Sequence, residues 1–148
     1  MASDKSISVK VTGLAQLNRA FKMTDTELPK HMKAELLVVS TNVAEKVRGR
    51  VPRGKTGKAA GSVKARSTSS GASVVAGGQA AKYWPWLDWG GSTKRWPSGA
   101  IKRPFIKGDG RYLYKTIVEE GTNIKEAVDT AVKKVAEEAG FTTTGGIN

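Results

Sequence analysis

Apolar and polar positions alternate in Ile7-Ser8-Val9-Lys10-Val11, the two-residue period of a half-buried strand. After Thr12-Gly13 the period lengthens. Leu14, Leu17 and Phe21 fall three and four residues apart and predict a short amphipathic helix. Thr26 is placed to cap a second helix with Pro29 in its first turn. Met32, Leu36, Val39, Val43 and Val47 carry one apolar stripe through residues 28–50, and Pro52 with Gly54 ends it. Residues 53–61 are rich in Gly and Lys and read as loop. Ser62–Ser67 and Ser73–Gly77 read as two strands joined by the turn residues Thr68-Ser69-Ser70-Gly71.

The segment Tyr83-Trp84-Pro85-Trp86-Leu87-Asp88-Trp89 is read as a strand. In that conformation Trp84 and Trp86 point one way while Tyr83, Leu87 and Trp89 point the other. Pro85 lacks an N–H and suits an edge or a bulge. Such a two-faced edge is read as a subunit contact, with burial inside one chain as the competing arrangement. With Trp96, four tryptophans lie within thirteen residues, 84–96. Four exposed indoles would exceed the apolar patch of about 300–600 Å² found on monomers, so something covers them. Residues 90–100 form a long loop and Pro104–Lys107 a short extended piece. From Arg111 the pattern is helical, interrupted at Gly121, where Asn123 and Glu126 resemble a capping box. Ile124, Val128, Ala131, Val132, Val135 and Ala139 supply its apolar face, and Gly140 stops it. Residues 1–141 are expected to form a single α+β domain, with a long helix and a C-terminal helix on a small, mostly antiparallel sheet. A disordered tail is expected over residues 142–148.

Composition narrows the function. The chain has 148 residues, 39% of them hydrophobic and 26% charged, so one domain with a real core is expected. No run approaches the roughly 18 apolar residues of a membrane span. Met1-Ala2-Ser3-Asp4-Lys5 offers no apolar region for a secretory signal. Without cysteine there is neither a disulfide framework nor a thiolate metal site. Net charge is +12 and uneven: eight Lys/Arg and no acid lie between Lys46 and Arg66, while the region after Lys115 is acidic. That asymmetry points to a polyanion or an acidic protein as partner.

Gly49-Arg50-Val51-Pro52-Arg53-Gly54-Lys55-Thr56 matches the phosphate-loop pattern G-x-x-x-x-G-K-T. That chemistry needs a strand before the loop and a helix after it. Here a long helix precedes it, so nucleotide hydrolysis is not expected. His31 is the sole histidine, which removes Ser–His–Asp and His-cluster chemistry. The neighbouring acids Glu119/Glu120 and Glu137/Glu138 read as solvated helix faces. No enzyme activity, cofactor or metal is expected. Basic residues interleaved with Tyr and Trp would also suit a single-strand or non-specific nucleic-acid binder, stacking bases on indoles.

Taken in order, several short pieces form a series. Val11-Thr12-Gly13-Leu14 is followed by Arg50-Val51-Pro52, then Lys55-Thr56-Gly57 with Gly61-Ser62-Val63. Tyr83 then leads to Leu87-Asp88-Trp89-Gly90, and Arg103-Pro104-Phe105-Ile106 closes the set. Over residues 7–140 this order resembles the tail-completion (head–tail joining, or neck) family of long-tailed bacteriophages. The departures are Asp88 where the family usually has Glu, Trp89 for Phe, Gly91 for Thr, and Gly108-Asp109 for Pro-Ala. The resemblance implies a virion protein, made in the host cytoplasm, that forms a homo-oligomeric ring at the neck. A hexamer is expected, with a dodecamer as the alternative. The ring would join the portal-side connector to the tail terminator or tail tube around the DNA channel, with no membrane involved. Expected interface residues are Tyr83, Trp84, Trp86, Trp89, Trp96, Arg103 and Phe105. Arg50, Arg53, Lys55, Lys58, Lys64 and Arg66 are expected to face an acidic partner or channel DNA. The acidic C-terminal helix of one protomer is a candidate partner for the Lys46–Arg66 stretch of the next.

Overall fold

The computed structural model describes residues 7–10, 13–92, 102–106 and 110–141. The fold is α+β, a layer of helices packed against one face of a small antiparallel sheet. Strand β1 (Ile7–Lys10) is followed by helices α1 (Leu14–Thr24) and α2 (Leu28–Arg50). A four-residue helical turn, α3 (Lys58–Gly61), leads into the hairpin β2 (Lys64–Thr68) and β3 (Gly71–Val75). A 3-10 turn (Gln79–Ala81), helix α4 (Trp84–Trp89) and short strands β4 (Gly91–Ser92) and β5 (Lys102–Arg103) follow. Helices α5 (Leu113–Glu119) and α6 (Gly121–Glu138) complete the described chain.

The main sheet has the order β1-β3-β2 and is antiparallel throughout, with Ile7 opposite Val74 and Ala65 opposite Val74 from the other side. Alternation along β2 fixes which face meets the helices. Ala65 and Ser67 are half-buried, and Ser67 Oγ donates to the Lys33 carbonyl of α2 at 2.8 Å. Lys64, Arg66 and Thr68 lie at the alternate positions and are exposed. The hairpin begins two residues later than the sequence reading placed it, because Ser62 belongs to the end of α3. Its hydroxyl donates to the Ala59 carbonyl at 2.7 Å.

Helix α2 spans the predicted residues and is the central element. Leu28, Met32, Leu36, Val39, Val43, Ala44 and Val47 are buried on it, between the sheet on one side and α6 and α1 on the others. Thr26 is not its cap. Glu27 occupies that position, and Asp25 Oδ1 accepts the Glu27 N–H at 2.9 Å instead. At the other end Val51 is extended, as a residue before proline prefers. Within the expected 53–61 loop, α3 buries Ala59 and Ala60.

The C-terminal helix breaks where expected, at Glu120 between α5 and α6. The Asn123–Glu126 capping box does not form; Asn123 Nδ2 donates back to Glu120 Oε2 at 2.9 Å. Ile124, Val128, Ala131, Val135 and Ala136 are buried on α6. Gly140 adopts φ +81, and Phe141 folds back so that its ring lies 5.8 Å from that of Phe21. The expected disordered tail, 142–148, lies outside the described residues.

The strand expected over residues 83–89 is a helix. Pro85 sits in its first turn, where the missing N–H costs nothing. The buried set Trp84, Leu87 and Asp88 has the i, i+3, i+4 spacing of one helical face. A two-faced edge strand therefore does not exist here, and most of the apolar surface that prompted it is covered within one chain. No described helix is long and apolar enough to cross a membrane.

Candidate interaction surfaces

Helix α4 is held by two buried polar groups of different kinds. Trp84 is 3% exposed, and its indole Nε1–H reaches Ser62 Oγ at 2.7 Å and the Ala59 carbonyl at 3.0 Å. The same Ser62 oxygen accepts the Gly77 N–H at 3.1 Å, so one hydroxyl joins α3, α4 and the segment after β3. Gly77 passes so close that a Cβ there would lie 3.1 Å from Trp84 Cβ.

Asp88 is fully buried, and its Oδ1 accepts the backbone N–H groups of Arg111 at 2.8 Å and Tyr112 at 2.7 Å. One side-chain oxygen thus satisfies two backbone donors just ahead of α5. Gly110 lies over the carboxylate with φ +70. A Cβ there would come within 2.8–2.9 Å of all three carboxylate atoms. Arg111 completes the clasp, its guanidinium donating to the Asp88 carbonyl at 3.3 Å and to the Pro104 carbonyl. Ile106 N–H donates to the Trp89 carbonyl at 2.8 Å. The 104–106 segment is therefore fixed from behind by α4 and Arg111. Phe105 is nevertheless 64% exposed and Ile106 36%.

The aromatic residues expected at an interface consequently divide. Trp84 belongs to the core and is no stacking platform for bases. Trp86 is half-buried and donates to the Gly91 carbonyl at 3.2 Å. Trp89 is half-buried with its ring centroid 4.9 Å from that of Tyr114. Tyr83 and Phe105 are exposed. Arg103 contributes its backbone to β5, paired with Gly91, and Trp96 lies outside the described residues.

The basic residues also divide. Arg50 pairs with Glu119, and Lys46 Nζ lies 2.5 Å from Glu120 Oε2. Lys134 pairs with Glu35 at 2.6 Å, and His31 Nδ1 lies 3.2 Å from Glu138 Oε2. These links tie α2 to α5 and α6 of the same chain, so the acidic C-terminal region engages α2 internally where pairing between protomers was anticipated. Arg53, Lys55, Lys58, Lys64 and Arg66 are exposed and lie outside these pairs. The phosphate-loop match joins the end of α2 to an irregular turn and the four residues of α3. No strand leads into it, so the strand–loop–helix cradle is not built. Among the described residues no cluster of three or more His, Cys, Asp or Glu could hold a metal ion.

Two of the cross-links shift titrations. Asn123 first, and then Lys46, hydrogen-bond the Glu120 carboxylate and hold its pKa below the ordinary value. Glu35 raises that of Lys134. A depressed carboxylate contributes stability that is fully present above its unfolded pKa and is lost as pH falls through the folded one. The raised Lys134 contributes below its unfolded pKa and loses that contribution as pH rises through the folded one. Glu120→Gln is therefore expected to flatten the acid side of a plot of thermal midpoint against pH, below the usual carboxylate range, and to leave the alkaline side unchanged. Glu120 is half-buried but its partner Lys46 is exposed, as is Lys134, so solvent screens both pairs and the effect is small. An acid limb identical to that of the parent chain would remove Glu120 as its source.

The chain matches no protein-family model, no curated protein and no solved structure.

Proposed function

We propose that this chain is a structural virion protein that assembles into a ring at the head–tail junction of a long-tailed phage. In this reading it joins the portal-side connector to the tail terminator or tail tube. The order of the short motifs along residues 7–140 motivates the assignment. The geometry that carries it is the Arg103-Pro104-Phe105-Ile106 segment, anchored by backbone bonds to Trp89 and Arg111 while Phe105 and Ile106 remain in water. Folding alone gives no reason to hold a phenyl ring outward on a rigid support. A subunit contact does, because anchors that are already ordered lose little entropy on binding. A closed ring joins unlike patches head to tail, so this knob meets a different surface on its neighbour.

Phe105→Asp separates an interface role from a folding role. The exposed side chain predicts a thermal midpoint nearly unchanged, within about 0.5 kcal/mol of stability. Light scattering of the chain with its neck partners is expected to lose the ring species, and complementation of particles lacking the protein is expected to fail. A variant that still forms rings and joins heads to tails would exclude Phe105 as the contact. A parent chain that stays monomeric with assembled heads and tails present would overturn the ring itself.

A further inference from the structure

Cations and carboxylates are segregated in this fold. Residues 51–87 contain Arg53, Lys55, Lys58, Lys64, Arg66 and Lys82 but no Asp or Glu. All six cations are exposed, and none has an ion pair among the described residues. The cations on α2 and α6 are arranged differently. Lys30, Lys46, Arg48, Arg50, Lys133 and Lys134 each meet a carboxylate of the same chain, while Lys33 and Lys125 have no ion pair among the described residues. Internal pairing thus offsets much of the positive charge on α2 and α6, whereas the 51–87 stretch holds no carboxylate to offset its own.

The uncompensated group has a definite support. Lys64 and Arg66 stand two residues apart at outward positions of β2, about 6.6–6.8 Å along the strand. Register places Val75 beside Lys64 and Ser73 beside Arg66, so the neighbouring strand offers only small side chains. Helix α2 covers the opposite face of the hairpin. Arg53, Lys55 and Lys58 precede β2 directly through the turn and α3. No aromatic residue occurs between residues 51 and 82.

Two partner classes carry enough negative charge. An acidic protein would need an apolar or aromatic anchor near the centre of the contact. Half-buried Val75 is the largest apolar side chain that the outward positions of β2 and β3 provide. A nucleic acid read by its bases would need stacking surfaces. Trp84, the first indole after this region, is buried with its N–H engaged, which leaves one exposed ring, Tyr83, next to the region in sequence where stacking of successive bases needs several. What remains is recognition of charge density alone, which favours the duplex backbone with its two phosphate rows.

We propose that the outer face of β2, together with the Arg53–Lys58 stretch, binds the phosphodiester backbone of duplex nucleic acid without sequence preference. The surface belongs to the single chain, so the proposal does not depend on ring formation.

Fluorescence anisotropy of the full chain with a short random-sequence DNA duplex tests it, using a single strand of the same sequence as competitor. Log Kd is expected to rise linearly with log salt, by roughly 0.9 for each phosphate neutralised. Lys64→Gln/Arg66→Gln is expected to reduce that slope by roughly 1.8 without moving the thermal midpoint. Lys46→Gln, which removes an ammonium already paired with Glu120, is expected to leave the slope unchanged. A slope insensitive to the double substitution would overturn the proposal. So would a several-fold preference for the single strand, or tighter binding of a poly-glutamate peptide than of the duplex. None of these outcomes bears on ring assembly, which light scattering reads separately.

Discussion

Trp84→Ala is expected to destabilise the chain by about 3–5 kcal/mol, the range for removing a large buried aromatic from a core. That is a large part of the roughly 5–15 kcal/mol that holds a typical domain together. The indole belongs to the same buried cluster as Ala59, Ala81 and Leu87, and its N–H occupies Ser62 Oγ and the Ala59 carbonyl. Alanine leaves a cavity and two acceptors without this donor. Trp84→Phe separates these contributions, because it keeps most of the apolar volume and loses only the donor. It is expected to cost about 1–3 kcal/mol, the range for an unsatisfied buried polar group. Thermal and urea unfolding measure both. A Trp84→Ala midpoint within a degree of the parent would mean that this indole is not packed as described.

The second large effect involves Asp88 and Gly110 together. Asp88→Ala removes the acceptor for two backbone N–H groups, at about 1–3 kcal/mol for each donor left buried and unpaired. Gly110→Ala is expected to cost about 1–3 kcal/mol in backbone strain at φ +70, with the clash against the carboxylate in addition. The pair should not be additive. Once the carboxylate is gone the new methyl has room, so the double variant is expected to be more stable than the sum of the singles predicts. Denaturant unfolding of all four chains gives the coupling directly. Simple additivity would show that the 2.8–2.9 Å approach is not what requires glycine at this position.

Much of the architecture could be read from the order of residues, because long stripes with one strong period have one good solution. Helix α2 appeared with its predicted ends, since Met32, Leu36, Val39, Val43 and Val47 cannot be buried together by any other local conformation. The break before Gly121 was equally legible. The indole segment was not, and the reason is physical. Over seven residues rich in aromatics, both periods place large apolar groups on each face, and alternation alone cannot choose between them. Pro85 was the deciding signal. Read as a helix-starting residue, it makes Trp84, Leu87 and Asp88 one buried face. The Asp88–Gly110–Arg111 clasp was invisible for another reason. Its partners are more than twenty residues apart, and a lone acid gives no hint of backbone donors so distant. The Lys46–Glu120 and Arg50–Glu119 pairs were hidden in the same way, as charge blocks whose meeting depends on how α6 lies along α2.

That clasp has a practical corollary for engineering. It joins the end of α4 to the start of α5 through Asp88, whose carboxylate accepts the Arg111 and Tyr112 N–H groups. A fluorophore attached at exposed Lys115, in the first turn of α5, should therefore leave that clasp intact and give a handle that reports on the protein in place.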